Sequence, residues 1–466
     1  MAYQFGEIIV EAQYTDTGNA LYNGNPLIEA LPRNLNDEEL FKALYLPIPY
    51  DQTERNLPYY ERIERLQGLE YLFVPLNYVA DITRKIFTAI KGGYVSRNPL
   101  SASWGHDMTK LQKCVSNKDG AFLSYGISNA NSSGFCIVGD SGMGKTSSIN
   151  RALSLLPQVI IHKEYRENAF SFTQIVWLKL ECPHDASVKG MCSEFFRIFD
   201  ELTGDNTFNK FAVGGRATVD QMVPQMAMVA KRHGLGLLII DEIQNLSAAK
   251  SGGAERMKNF IVQLVNTVGI PVLLVGTPPT IELLKDDLKT IRRSAGDGMV
   301  IIRPLDRTSA DWRSFVREIW NYQWTSVNTK GSKNLSDKLH ELCHGNIDAA
   351  IKLYMETQRI TINKGRDPAW PEVITSDSIQ SAAESDSLRL VLERLAFEQG
   401  GNIRRKKKPD VIPVQPKQAL PKPSAPAENK TSTSIEKKQK QKLSIGGELL
   451  KELKDEGVLV SPEDEY

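Results

Sequence analysis

Between about residues 106 and 305, short apolar runs alternate with stretches of helical spacing, the pattern of a parallel sheet covered by helices. Five runs stand out: Phe135 to Val138, Ile175 to Leu180, Leu237 to Ile240, Val272 to Val275 and Val300 to Ile302. From about 306 to 395 the spacing becomes helical without strand runs, through Trp312, Phe315, Val316, Ile319 and Trp320, then Leu335, Leu339 and Leu342, then Ile347 and Ile351. That spacing predicts an all-helical subdomain, with its tryptophans read as core rather than as platforms for stacked bases. Residues 1 to about 105 are rich in Pro, Tyr and Asn, as in Asn23-Gly24-Asn25-Pro26 and Tyr45-Leu46-Pro47-Ile48-Pro49-Tyr50. Turns and extended chain are expected there, with one helical stretch near Leu76 to Ile90. This segment reads as an adaptor or docking region, or else as an extension of the next domain.

Composition adds boundaries to that picture. A chain of 466 residues that is 41% hydrophobic can bury a large core and has room for two or three domains. No run of about 18 apolar residues is present for a membrane span, and the first residues lack the basic-then-apolar order of a secretory signal. A cytoplasmic, DNA-associated bacterial protein without membrane contact is expected. The five cysteines read as reduced thiols, and Cys182, His184 and Cys192 lack the paired spacing of a metal site. The net charge of +1 hides a sharp division near the C-terminus. Residues 401–442 hold 12 Lys and Arg against 3 Asp and Glu, whereas 443–466 hold 2 against 7, so a basic, proline-broken tether ends in an acidic segment. The segment 396–466 is expected to be disordered, with its terminal part either folding on a partner or remaining a solvated tail.

Candidate chemistry centres on Gly139-Asp140-Ser141-Gly142-Met143-Gly144-Lys145-Thr146, which fits G-x-x-x-x-G-K-[ST]. An apolar strand precedes it and a helix follows, as a phosphate-binding loop requires. Glycines let successive N–H groups converge on phosphate oxygens at the positive end of a helix. Lys145 reaches the terminal phosphates, and the Thr146 hydroxyl is placed for Mg²⁺. The run Leu237-Leu238-Ile239-Ile240 ends in Asp241 and Glu242. Asp241 suits the metal's water shell opposite Thr146, and Glu242 suits the water that attacks the γ-phosphate. Thr277, after the strand ending at Gly276, is placed to orient that water. Arg292 and Arg293 are expected at a domain edge, where an arginine can reach a neighbouring subunit's γ-phosphate.

With these pieces in order, the chain resembles AAA+ ATPases, and more narrowly the TnsC/TniB family of transposition regulators of heteromeric and CRISPR-associated transposons. Besides the ATPase motifs, the resemblance rests on Tyr22 to Pro32, Glu181-Cys182-Pro183-His184, Val275-Gly276-Thr277-Pro278 and Trp312 to Trp324, and covers roughly residues 20 to 360. It implies an α/β AAA+ P-loop fold with a five-stranded parallel sheet (106–305), a helical lid (306–395), an N-terminal adaptor region (1–105) and a disordered tail (396–466). It assigns Lys145 and Thr146 to Walker A, Asp241 and Glu242 to Walker B, Thr277 to sensor 1, and Arg292 or Arg293 to the arginine finger. The family further implies ATP and Mg²⁺ as cofactors, rings or helical filaments on double-stranded DNA, and a bridge from a target selector of the TnsD/TniQ type to the transposase. Lys189, Arg216 and Thr218 are the candidates for DNA contacts, beside the plain reading of ordinary surface residues. The lid arginine that many AAA+ proteins carry is missing, since the matching segment reads His344-Gly345-Asn346-Ile347-Asp348, so slow hydrolysis is expected. A translocating or remodelling motor is the alternative reading.

Overall fold

A computed structural model describes residues 8–117, 134–212, 218–248, 253–263, 270–279 and 298–398. Eight strands occur among the described residues: β1 (Ile9–Glu11), β2 (Phe135–Gly139), β3 (Val159–Tyr165), β4 (Asn168–Ile175), β5 (Trp177–Glu181), β6 (Leu237–Asp241), β7 (Val272–Gly276) and β8 (Met299–Ile302). The main sheet has the order β5-β6-β7-β2-β8 with every pairing parallel. Each apolar run singled out in the sequence supplies one of its strands. The three inner strands, β6, β7 and β2, are buried at every position, because helices cover both faces and no residue turns to water.

The run from Ile175 to Leu180 proves to be two strands. Ile175 closes β4, and β5 starts at Trp177 after a one-residue corner. Antiparallel β3 and β4 join through Arg166 and Glu167, both at positive φ (50° and 66°), and β1 adds in parallel to make a second sheet, β1-β3-β4. The adjacent positive φ values match the twist a tight hairpin needs.

The N-terminal hundred residues are more helical than their composition suggests. They hold α1 (Pro26–Glu29), α2 (Asp37–Leu44), α3 (Tyr59–Arg65), α4 (Asn77–Val95) and α5 (Ala102–Asn117), with α4 meeting the expected helical stretch. Local caps explain α1 and α2. Asn25 accepts from the Leu27 N–H with Pro26 opening the helix, and Asn36 and Glu39 form a reciprocal capping box. Then follow α6 (Lys145–Leu153), α7 (Val188–Thr203), α8 (Thr207–Phe211), α9 (Val219–Arg232) and α10 (Gly253–Gln263) around the sheet. The lid is all-helical as expected: α11 (Ala310–Ile319), α12 (Lys333–Cys343), α13 (Ile347–Lys364), α14 (Ser376–Ala383) and α15 (Arg389–Glu398).

Alternation along β2 sends Phe135 and Ile137 into one core and Cys136 and Val138 into the other. On the Ile137 side a single apolar cluster runs from Leu27, Leu44 and Ile86 through Ile239 to Trp312, Leu339 and Tyr354 in the lid. Trp312 and Trp324 are fully buried, and their indole N–H groups donate to Ser336 Oγ (3.1 Å) and Glu54 Oε2 (2.7 Å). These are core tryptophans.

Polar bonds tie the N-terminal segment to the lid as well. The Arg62 guanidinium meets the Glu372 carboxylate at 2.5 and 2.9 Å and donates to the Trp324 carbonyl at 2.8 Å, all of it buried. Burial alone lifts the Glu372 carboxyl, but Arg62 and the Ser326 N–H hold it below its usual range. Tyr50 and Arg55 both donate to the Gln323 carbonyl, at 2.6 and 2.9 Å. On its other flank the same segment is gripped by Arg151 of α6, whose guanidinium donates to the carbonyls of Ala43, Leu44 and Tyr45. The expected boundary near residue 105 therefore crosses one continuous core.

Candidate functional site

The loop 139–146 leaves β2 where the chain order of the sheet reverses, outside the carboxyl ends of the strands, which is where doubly wound sheets hold ligands. Two of its glycines adopt left-handed backbone, Gly142 at φ 79° and Gly144 at φ 72°. A side chain at Gly142 would also collide with Asn346, its Cβ lying 2.7 Å from Oδ1. Gly144 caps α6, so Lys145 and Thr146 open that helix and the free N–H groups of its first turn face the loop.

Lys145 Nζ donates to the Asp140 carbonyl at 2.9 Å, held at the mouth of the loop. Burial pulls its ammonium below the usual range, and the carboxylates of Glu242, Asp241 and Asp140 oppose that pull only in part. Thr146 Oγ1 donates to Asp241 Oδ2 at 3.0 Å, which joins the two residues the sequence paired as metal holders. Asp241 is 2% exposed. Its Oδ1 accepts the Glu242 N–H at 2.9 Å, and its Oδ2 also lies 3.1 Å from Lys179 Nζ on β5. A hydroxyl and a carboxylate 3.0 Å apart at the end of a phosphate-binding loop fit Mg²⁺, which keeps waters and phosphate oxygens for its other positions.

Glu242 has left-handed backbone at φ 57° and lines the cleft beside Lys145 and Thr146. Backbone strain of this kind is tolerated at functional sites, where it fixes the direction of a side chain. Thr277 follows β7, whose Gly276 is level with Val138 of β2, so it stands half-buried at the same sheet edge. The loop, Asp241, Glu242 and Thr277 are thus brought together. Lys189, the second residue of α7, and Thr218, whose N–H donates to Gln221 Oε1 at 3.2 Å ahead of α9, lie on the helical layer instead. Arg216, Arg292 and Arg293 lie outside the described residues, as does the tail from residue 399.

The cleft over the loop, about 800 Å³, is closed by parts of the chain that the motifs do not mark. From the N-terminal segment come Leu46, Leu72, Val74 and Tyr78; from the lid come Phe315, Ile347, Asp348 and Lys352. The apolar members suit a flat base, and the loop suits its phosphates. Tyr78 donates to the Met143 carbonyl at 3.1 Å, and burial pushes its phenol up to about 12. The segment His344 to Asp348 touches the loop directly. Asn346 Nδ2 donates to the Ser141 carbonyl at 2.8 Å, and the Asp348 N–H to the Gly142 carbonyl at 3.1 Å. Lys352, about one turn along α13, pairs with Asp348 at 2.8 Å and brings a lid cation to the cleft. The sequence placed Asn346 only in the segment that stands where a lid arginine is expected; nothing local in the sequence marks Tyr78, Lys179 or Lys352.

Residues 130–284 match the family model described as an AAA domain. No curated protein matches the chain at a significant level. Among solved structures, the chain is similar to the ORC2 protein of Aeropyrum pernix in its ADP form, at 14% identity over 60% of this chain and 69% of that one, with a TM-score of 0.36. It is similar to the ORC1 protein of the same organism in complex with DNA, at 15% identity, 63% and 67% coverage and a TM-score of 0.35. A Walker-type ATPase of Pyrococcus abyssi aligns at 14% identity over 60% of this chain and 74% of its own, with a TM-score of 0.36. From the family match, and from a phosphate loop set at the reversal point of a five-stranded parallel sheet, the segment 130–284 of this chain is an AAA domain.

Proposed function

We propose that this protein is an ATP-switched, DNA-associated regulator of transposition. It assembles as a ring or helical filament on double-stranded DNA, bridges a target selector of the TnsD/TniQ type to the transposase, and is reset by slow ATP hydrolysis. The observation that carries the switch is the pair of bonds from Asn346 and Asp348 to the loop carbonyls of Ser141 and Gly142. The loop that takes phosphate is the loop the lid holds, so filling it acts on lid and N-terminal segment together. The resemblance of the N-terminal string Tyr22 to Pro32 to the TnsC/TniB family supports the role in transposition.

In this reading the backbone of Gly139 to Gly144 and the Lys145 ammonium bind the phosphates, while Thr146 and Asp241 hold Mg²⁺. When bound, Mg²⁺ neutralises phosphate charge. Glu242 accepts a proton from the attacking water and Thr277 orients that water. Arg292 or Arg293 completes the site of a neighbouring copy. Lys189, Arg216 and Thr218 face the duplex, through contacts to phosphates that carry no sequence preference. The test is electron microscopy of the full chain with duplex DNA and a nonhydrolysable ATP analogue. Rings or filaments on the duplex are expected, and their loss in Lys145→Ala. Isolated monomers beside bare DNA overturn the proposal.

A further inference from the structure

The lid carries a second cleft, about 1100 Å³ in volume, that shares no lining residue with the nucleotide cleft. One wall is α11, where Arg313 and Arg317 stand one turn apart, with Arg307 in the turn before it. The facing wall is the stretch leading into α12, with Lys330 and Lys333. All five side chains are exposed. Two acids line the cleft, and both are engaged: Glu318 accepts from Tyr45, and Asp337 lies 3.6 Å from Arg307. Arg313 gives one nitrogen to the Thr308 carbonyl at 2.5 Å and keeps the rest of its fork.

Cations on both walls of a concave surface repel one another, and low-dielectric walls focus the resulting field into the space between. The partner that relieves this is a polyanion. Between the cations stand neutral donors, among them Asn328 and the Ser332 hydroxyl that caps α12. Lysines and arginines interleaved with amides, hydroxyls and a helix N-terminus are the groups that contact phosphate oxygens and sugars rather than base edges. We propose that this cleft holds the sugar–phosphate backbone of duplex DNA, a contact surface additional to the AAA domain. The inference rests on the DNA-associated reading above.

The test is binding of the full chain to a 30-base-pair duplex, read by fluorescence anisotropy across a salt series with the nonhydrolysable ATP analogue present. Arg313→Glu/Arg317→Glu and, on the facing wall, Lys330→Glu/Lys333→Glu are each expected to weaken binding at least about tenfold. Each is also expected to flatten the slope of log affinity against log salt by about two, near one per phosphate contact removed. Lys364→Glu/Arg389→Glu makes the same charge change elsewhere on the lid and is expected to stay within about twofold. If the unchanged protein binds no duplex, this inference and the DNA-associated reading fall together. If it binds and the groove variants bind equally, or the control loses as much as they do, only the groove assignment falls. Loss of binding to polyglutamate in the groove variants, with duplex binding intact, overturns it in favour of an acidic protein partner.

Discussion

At the scale of single residues, the missing lid arginine has a structural answer in Lys352. Among the described residues it is the lid cation lining the nucleotide cleft, and its pairing with Asp348 places it on the stretch whose backbone holds the loop. A charged group that gains a phosphate partner on binding contributes about 1.5–3 kcal/mol through its hydrogen bond. Lys352→Ala is therefore expected to weaken ATP binding roughly tenfold or more and ADP binding less, measured by titration of a fluorescent analogue with each nucleotide as competitor. Equal losses for both nucleotides would place Lys352 away from the terminal phosphate. The sequence marks residues whose role depends on near neighbours, as Lys145 depends on its glycines. Lys352 and Lys179 owe their place to a helix packing and a strand pairing, which no spacing along the chain records.

Among elements, the junction of α12 and α13 sets the lid against the loop. His344 and Gly345 are both left-handed, at φ 52° and 73°, and a Cβ on Gly345 would lie 2.1 Å from the Leu305 carbonyl oxygen, while the Leu305 N–H donates to the Gly345 carbonyl at 3.0 Å. Gly345→Ala is expected to cost on the order of 2–4 kcal/mol, from the unfavourable φ and the clash together. Urea unfolding checks the stability, and nucleotide titration should show a parallel loss, because Asn346 is the next residue. The inner strands β2, β6 and β7 were readable because buried parallel strands are nearly uniformly apolar, and the edge strands β5 and β8, though partly exposed, keep enough apolar residues to stand out. The β3-β4 hairpin escaped because His162, Lys163, Glu164, Arg166 and Glu167 interrupt its apolar character, although Phe170 and Phe172 keep the two-residue period of a strand. The short helices α1, α2 and α3 escaped because none is long enough to show a periodic stretch, and α1 and α2 begin at local caps.

At the scale of the whole molecule, the N-terminal segment locks onto the lid on one flank and onto α6 on the other. Arg62→Ala leaves the buried Glu372 carboxylate without its partner, and a loss of about 3–5 kcal/mol is expected in urea unfolding. The double replacement Arg62→Met/Glu372→Met is expected to recover much of it, since apolar side chains of similar volume need no counter-charge. A loss below about 1 kcal/mol in the single variant would show that the pair stays solvated. The two Walker motifs and the sensor 1 threonine, lying between Gly139 and Thr277, do not disclose that the first hundred residues complete the nucleotide cleft, because that fact exists only once distant segments meet. The Arg62–Glu372 pair spans 310 residues of chain, and this sets a timetable for biosynthesis. At about 5–20 residues per second the ribosome needs roughly 15–60 s to pass from one partner to the other. For most of that interval Leu44, Leu69 and Ile86 have been synthesised and the lid part of their cluster has not, so the nascent N-terminus is expected to need chaperone cover before the protein has a site to fill.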